Sequence, residues 1–248
     1  MPASSPCLAP RTRQRAPILA LATVATVFAA CASEGAVGPI GKGNAAGLSV
    51  INGAPGAVRV VVDGTTRIGL LEPASVSAAI DLPEGAHSVE LQAIGSGTFS
   101  GTSTAQVTIR PAGVAFVAAQ ASALGALVAN VVSDTGAVPA PGMSKLRVIH
   151  LASGAPRLDV WRTQPDYQTP IRTMFPFPYT AQSSFLQSTP GAWEVIVTPA
   201  TQPTPGEADP RTLALARLVL TIGANTARTV VILDKVGGGV TLSALPGN

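Results

Sequence analysis

Short runs of apolar or alternating residues, separated by Gly, Pro and polar turns, recur along the chain from residue 48 onward. Each run has the length of a β-strand, and most are rich in Val, Ile and Thr, which favour strands. In the first half the runs are Leu48–Ile51, Val58–Val62, Val76–Leu82, His87–Ala93, Ala105–Ile109, Val114–Ala121 and Ala126–Val132. In the second half they are Leu146–Leu151, Leu158–Arg162, Ser183–Leu186, Trp193–Thr198, Ala214–Thr221, Ala227–Leu233 and Val240–Ala244. About seven short strands per half predict an all-β protein of two tandem immunoglobulin-like β-sandwich domains, and the pattern leaves the strand order open.

The alternation within each run indicates which side chains face the core, because successive side chains of a strand point to opposite faces. Trp161 and its neighbours Arg157 and Asp159 are predicted to face solvent. The residues predicted to point inward are Val58, Val60, Val62, Val89, Leu91, Leu158, Val160, Val195 and Val197.

Two stretches of the chain resemble each other: LSVINGAPGAVRVVV begins at Leu48, and LRVIHLASGAPRLDVWR begins at Leu146. Both are typical of a strand, a Gly/Pro turn and a second strand. Further along, Gly85 corresponds to Gly191, and each lies between a polar turn and a strand, which predicts a positive φ angle there. We therefore expect two copies of one fold, at residues 47–134 and 144–248, joined by a linker at residues 135–143.

The start of the chain has the layout of a secretory signal peptide. Three arginines are followed by an apolar run from Ala16 to Ala30, shorter than the roughly 20 residues of a membrane-spanning helix. Cleavage before Cys31 would leave residues 1–30 as the leader and residues 31–46 as a flexible tether rich in Gly and Ala. The alternative is an A-x-A site ending at Ala32, with cleavage before Ser33 and release as a secreted or periplasmic protein.

Cysteine usage favours lipidation of Cys31. The other cysteine, Cys7, lies in the leader, so the mature chain would hold no pair for a disulfide. The junction VFAAC, which ends at Cys31, resembles the lipobox of bacterial lipoproteins, whose cysteine is acylated and becomes the mature N-terminus. Because Ala32 is not the Asp that favours inner-membrane retention in enterobacterial lipoproteins, the resemblance implies an outer-membrane lipoprotein.

The charge balance argues against nucleic acid as a partner. The chain has 16 Lys and Arg against 13 Asp and Glu, but three of the arginines belong to the leader. The remainder is neutral and contains no basic cluster, which is the usual footprint of a nucleic-acid surface.

Few residues offer catalytic or metal-binding chemistry. The two histidines, His87 and His150, occur without a G-x-S-x-G motif, and we predict that both pack rather than act as bases. No cofactor or metal is expected, because His, Cys and clustered acids are too few to form a site. An envelope hydrolase is an alternative that requires a pocket at His150 or a carboxylate pair from Asp159, Glu90 and Glu194. The alternation instead places these carboxylates on solvated outer faces.

One stretch is rich in aromatic residues, MFPFPY at residues 174–179, in a chain with 4% aromatics. Its two prolines favour an extended segment, so Phe175, Phe177 and Tyr179, together with Trp161, form a candidate ligand or partner surface for a glycan or peptide. The favoured interpretation is that the rings pack onto the edge of their own sandwich or against the first domain, because monomers rarely expose large apolar patches.

Several of these segments resemble the DUF4397 family of bacterial envelope proteins. The resemblance rests on SKLRVIHLASGAPRLDV at residues 144–160, Ser184-Phe185, PGAWEV at residues 190–195 and TVVI at residues 229–232. In the first half it rests on Val58–Gly64 and Glu84-Gly85 alone. The family implies a β-sandwich fold but brings no established activity, so it assigns no functional residues.

We therefore expect a non-catalytic lipoprotein of the cell envelope that acts as a binding or structural module. A carbohydrate-binding surface protein is the second hypothesis, and the hydrolase is the third. The lipid on Cys31 would hold the protein at the membrane, and envelope proteins or polysaccharide are its expected partners. We expect a monomer.

Overall fold

The structure, a computed structural model, describes residues 46–95, 99–111, 113–132, 137–155, 157–164, 170–200 and 209–245. The predicted leader, Cys31 and the tether up to residue 45 lie outside the described residues, as do residues 135 and 136 of the predicted linker. In the described ranges no helix is long and apolar enough to cross a membrane.

The described chain is built from β-strands, with one short 3-10 helix at Pro210–Leu213 and no α-helix in these ranges. The first half contains β1 (Gly47–Asn52), β2 (Ala57–Val62), β3 (Thr65–Leu71), β4 (Ser75–Val76), β5 (Ile80–Asp81), β6 (Gly85–Ile94), β7 (Thr102–Ile109), β8 (Val114–Ala121) and β9 (Leu127–Val132). The second half contains β10 (Ser144–His150), β11 (Arg157–Thr163), β12 (Ile171–Pro178), β13 (Leu186–Ser188), β14 (Gly191–Pro199), β15 (Ala216–Ile222), β16 (Ala227–Asp234) and β17 (Val240–Ala244).

Each half forms two sheets that pack as a β-sandwich, which confirms the predicted all-β fold. In the first sandwich one sheet has the order β4-β1-β8-β9, with β5 also on β1, and the other has the order β3-β2-β6-β7. The second sandwich has the orders β13-β10-β16-β17 and β12-β11-β14-β15. In both sandwiches the opening strand pairs in parallel with a late one, β1 with β8 and β10 with β16. The sequence left this order open, because parallel partners are distant along the chain.

The predicted inward faces form the cores. Val58, Val60, Val89 and Leu91 are fully buried in the first sandwich, and Leu158, Val160, Val195 and Val197 are at most 1% exposed in the second. Each set belongs to its own apolar cluster between two sheets. Gly85 and Gly191 open the equivalent strands β6 and β14 with φ angles of 133° and 136°, as predicted.

One strand was missed in each half, and it is the same strand. β3 and β12 both form the outer edge of their sheets, next to β2 and β11. β3 is largely exposed and contains Gly69, so it lacks a clean alternation. β12 contains Pro176 and Pro178, which are tolerated on an edge strand because its outer side needs no ladder hydrogen bonds.

A third apolar cluster joins the two sandwiches. Its fully or nearly fully buried members come from the sheets that contain β1 and β10, and they are Ile51, Phe116, Ala118 and Val132 from the first sandwich with Ile149, Leu151, Val231, Leu233 and Leu245 from the second. These side chains lie on the faces that point away from each sandwich's own core, since their strand neighbours Val50, Val117, Val148 and Val230 fill the cores. The sandwiches therefore share a buried layer.

Candidate functional site

The aromatic residues of β12 divide between the inside and the outside of the second sandwich. Phe177 is 6% exposed and belongs to the core cluster, whereas Phe175 is 58% exposed. Alternation along the strand separates the two rings. Phe177 is therefore a core residue, in line with the favoured interpretation of this segment.

Tyr179 connects the two sandwiches instead of facing solvent. Its hydroxyl accepts a hydrogen bond from the backbone N–H of Ala121 and donates one to the carbonyl oxygen of Ala121, both at 3.2 Å. Burial raises the pKa of this hydroxyl above its ordinary value of 10.0, partly offset by the bond to Ala121. This residue thus packs against the first domain, the other part of the favoured interpretation.

Trp161 and Phe175 share a patch around Arg172. The Arg172 guanidinium lies 4.1 Å from the centre of the Phe175 ring and 5.6 Å from that of Trp161. The indole N–H of Trp161 donates to Thr198 Oγ1 at 3.1 Å. The structure therefore brings together two of the four candidate surface residues, and Phe177 and Tyr179 do not belong to this patch.

Three carboxylates were predicted to lie on solvated outer faces. Two of them, Asp159 and Glu194, are buried, which corrects the prediction. Asp159 is 2% exposed and Glu194 is fully buried. Arg172 Nη1 donates to Asp159 at 3.2 Å, while Arg211 Nε and Arg217 Nε donate to Glu194 at 2.9 and 2.7 Å. Burial raises the pKa of Asp159, and the Arg172 partner works in the opposite direction. The alternation identified the face correctly, but long arginine side chains and the segment around Pro210–Leu213 cover it.

His150 is fully buried and both of its ring nitrogens are bonded to backbone atoms. The N–H of Ala152 donates to Nδ1 at 3.2 Å, so Nε2 carries the proton and donates to the Ala155 carbonyl at 2.8 Å. The ring stacks on Phe177 with centroids 6.0 Å apart. Neither nitrogen is left to act as a base, and burial lowers the pKa of the imidazole below 6.5.

Asn52 does in the first sandwich what His150 does in the second. Its Oδ1 accepts from the N–H of Ala54 at 3.0 Å, and its Nδ2 donates to the carbonyls of Gly56 and Leu71. Both side chains stand at the end of the opening strand and hold the turn that follows. This equivalence supports a structural role for His150.

His87 sits at the edge of the first core, 8% exposed, between two acceptors. Its Nδ1 lies 2.6 Å from Asp63 Oδ2 and its Nε2 lies 2.9 Å from the Pro83 carbonyl. Because both nitrogens face acceptors, the doubly protonated ring is favoured. Two hydrogen bonds raise the pKa of His87 above 6.5. The bond with Asp63 has the larger effect, and the bond with the Pro83 carbonyl has the smaller one.

The two histidines should make stability depend on pH with opposite signs. His87 has a raised pKa, so its contribution is complete below pH 6.5 and is lost as the pH rises through the folded-state pKa. His150 has a lowered pKa, so its contribution is complete above pH 6.5 and declines as the pH falls towards the folded-state pKa. We expect His150→Asn, which retains only His87, to melt at lower temperature as the pH is raised from about 5 to about 8. His87→Phe should show the reverse.

Thermal melts of both variants across this range measure the two slopes. The double variant is the control and should show the smallest dependence on pH. Slopes of the same sign in the two single variants would contradict the assignment.

A cleft of about 390 Å³ lies at the junction of the sandwiches. The first sandwich lines it with residues of the β8–β9 hairpin, and the second contributes Thr180 and Gln182 from the segment after β12. Gln120, only 4% exposed, accepts a hydrogen bond from Asn130 Nδ2 at 2.6 Å. Three polar groups here have no hydrogen-bond partner within the described part of the chain. They are Gln120 Nε2, Asn130 Oδ1 and the side-chain amide of Gln182.

These residues are not evident as a site in the sequence. The only signal was Gln120 in the run VAFVAAQA, where it shares a face with the buried Phe116 and Ala118. A glutamine at a buried position requires hydrogen-bond partners, because an unpaired buried amide is costly. No group of three or more His, Cys, Asp or Glu that could hold a metal occurs among the described residues.

Residues 46–161 match the model of a family described as a domain of unknown function, DUF4397. The match covers the first sandwich, β10 and most of β11. The match confirms the resemblance to this family, and it includes residues 144–160, on which part of that resemblance rests. No curated protein matches the chain.

Two solved structures are similar at low identity. One is a candidate cell adhesion protein from Bacteroides uniformis, with 10% identity, a TM-score of 0.21, and coverage of 82% of this chain and 99% of that one. The other is a leucine-rich repeat protein from Bacteroides thetaiotaomicron, with 14% identity, a TM-score of 0.21, and coverage of 74% of this chain and 25% of that one.

Proposed function

We propose that this protein, which contains a DUF4397 domain at residues 46–161, is a non-catalytic binding or structural module of the bacterial cell envelope. The supporting observation is that the candidate catalytic side chains already have hydrogen-bond or ion-pair partners within the protein. His150 is bonded to backbone on both sides, and Asp159 and Glu194 are each paired with arginine. A hydrolase would need one of these groups free to reach a substrate.

The joined sandwiches suit a module that presents a surface. A buried layer between the two halves fixes their orientation, so loops and clefts formed by both can recognise a partner with little loss of entropy. Within one chain this layer covers the apolar face of each sandwich, which favours a monomer.

We further propose that a lipid on Cys31 tethers the module to the outer membrane, with residues up to 46 as the spacer. The support is the sequence: an arginine-rich start, an apolar run and a cysteine preceded by small residues. Secretion or periplasmic release after cleavage before Ser33 is the alternative outcome.

Cys31→Ser is expected to move the protein from the membrane fraction to the soluble fraction, because it removes the acylated thiol. Intact mass measurement of the wild type from native membranes should give a diacylated or triacylated chain beginning at Cys31. Cys7→Ser is the matched control, and it should leave both mass and fractionation unchanged because Cys7 lies within the leader.

An unmodified wild-type chain beginning at Ser33 would contradict the tether. Crosslinking of intact cells then tests the role itself: specific crosslinks to envelope proteins or polysaccharide support a binding or structural module. Turnover of a generic esterase or glycosidase substrate, lost in His150→Asn or Glu194→Gln, would overturn the non-catalytic proposal.

A further inference from the structure

The two sandwiches meet through equivalent faces. Ile51 and Ile149 hold the same place on the opening strands, since Ile51 pairs with Val76 as Ile149 pairs with Gln182. Gly53 and Leu151 follow at equivalent positions, and a Cβ on Gly53 would lie 2.5 Å from Leu151 Cβ. A residue that touches its own equivalent lies near a two-fold axis, so the sandwiches are related as in an isologous dimer.

An interface with two-fold symmetry has two halves. They would be identical if the two sandwiches had the same sequence. Ile51 pairs with Ala118 as Ile149 pairs with Val231, so Gln120 and Leu233, each two residues further along, are equivalent. By the pairing above, Gln182 is equivalent to Val76, and Thr180, two residues earlier, is equivalent to Ala74. Thr180 and Ala74 also share a positive φ, at 69° and 55°.

One half is apolar and closed. Leu233 is 1% exposed in the cluster between the sandwiches, and Ala74 and Val76 pack against that cluster. At the equivalent places of the other half, Gln120, Thr180 and Gln182 line the open cleft. The difference between the halves thus consists of polar side chains in place of apolar ones, with a cavity between them.

We propose that this cleft binds one unit of an uncharged carbohydrate. The proposal deepens the proposed function by naming a ligand class, and it rests on that function. Its described lining has amide and hydroxyl groups, from Gln120, Asn130, Gln182, Thr180 and Ser122, and no charged side chain. Adjacent sugar hydroxyls both donate and accept, which matches amides that offer both.

Size and shape agree with this ligand class. A volume of about 390 Å³ falls at the small end of ligand pockets. Val128 and Ala121 add apolar surface beside the amides, suited to the C–H face of a sugar ring. An anionic ligand would lose its hydration here without gaining a cationic partner among the described lining residues.

Saturation-transfer NMR on the full chain, in a detergent without a sugar headgroup, tests the proposal. The probes are glucose, galactose, mannose and N-acetylglucosamine, with glucuronate as the charged comparison and a blocked alanine dipeptide as the peptide comparison. We expect at least one neutral sugar to bind, glucuronate to bind more weakly, and the dipeptide not to bind.

Gln120→Leu and Gln182→Val convert the open half to the residues of the closed half. Each should weaken binding of the neutral sugar at least tenfold. Gln182 is exposed, so its variant keeps the test valid if Gln120→Leu fails to fold. Gln106→Leu, at an exposed position on β7, is the matched control and should bind as the wild type does.

Binding of the dipeptide alone, absence of binding by every neutral sugar, or equal binding by Gln182→Val would overturn the proposal. None of these results affects the membrane tether or the crosslinks to other envelope components, so failure here is distinguishable from failure of the proposed function.

Discussion

Phe177→Ala should lower the free energy of unfolding by about 3–5 kcal/mol, the usual cost of removing a phenylalanine ring from a packed core. The ring is 6% exposed, packs in the core of the second sandwich and stacks on His150. Its loss leaves a cavity and removes the ring that stacks on His150. Chemical denaturation, monitored by tryptophan fluorescence, measures the effect, because Trp161 and Trp193 both lie in this sandwich.

Phe175→Ala is the matched control, two residues away on the same strand. This ring is 58% exposed and rests on Arg172, so its removal should change stability by no more than about 0.5 kcal/mol. Similar losses in the two variants would show that β12 does not separate an inner ring from an outer one.

Gly53→Ala should lower the free energy of unfolding by about 1–3 kcal/mol, the usual cost of inserting a methyl group into a packed region. The added Cβ would lie 2.5 Å from Leu151 Cβ and 3.0 Å from the Leu151 carbonyl oxygen. Neither atom is the free end of a side chain, so one sandwich must move against the other. The buried layer between them should lose its fit.

The same variant should separate the unfolding of the two sandwiches. In the wild type, fluorescence reports the second sandwich and far-ultraviolet circular dichroism reports both, and we expect the two transitions to coincide. In Gly53→Ala they should diverge, because the shared cluster no longer couples the halves.

Gly69→Ala is the control for this substitution. A Cβ there meets nothing within 4 Å, and the residue lies on exposed β3 without a positive φ. Stability should stay the same or rise slightly, since alanine loses less backbone entropy than glycine. Equal effects at Gly53 and Gly69 would argue that the sandwiches do not pack through Leu151.

Edge strands show one limit of the sequence analysis. The buried strands were predicted because a strand with one face in a core must alternate, and Val58, Val60 and Val62 record that constraint directly. β3 and β12 pair on one side only, so their outer edges need no ladder hydrogen bonds. Their residues are therefore free to include Gly69 or Pro176, which hide the strand from a pattern-based prediction.

The candidate surface shows a second limit. The aromatic residues of the MFPFPY segment suggested a ligand surface. In the structure two of them serve packing instead: Phe177 fills a core, and Tyr179 forms hydrogen bonds with Ala121 of the other sandwich. The cleft was missed because its lining residues, Gln120, Asn130 and Gln182, are far apart along the chain and individually ordinary.

Local patterns along the chain are enough to predict the all-β class, the two strand-rich halves, the inward faces and the positive φ of Gly85 and Gly191. All of these depend on local alternation and on residue-level backbone preferences, which neighbouring residues record. The strand order, the burial of Asp159 and Glu194, and the pairing of the two sandwiches with a cleft in one half of their interface become visible only in the folded chain. These depend on which distant surfaces meet, because an apolar outer residue such as Ile51 looks the same in the sequence whether water or Ile149 lies beyond it.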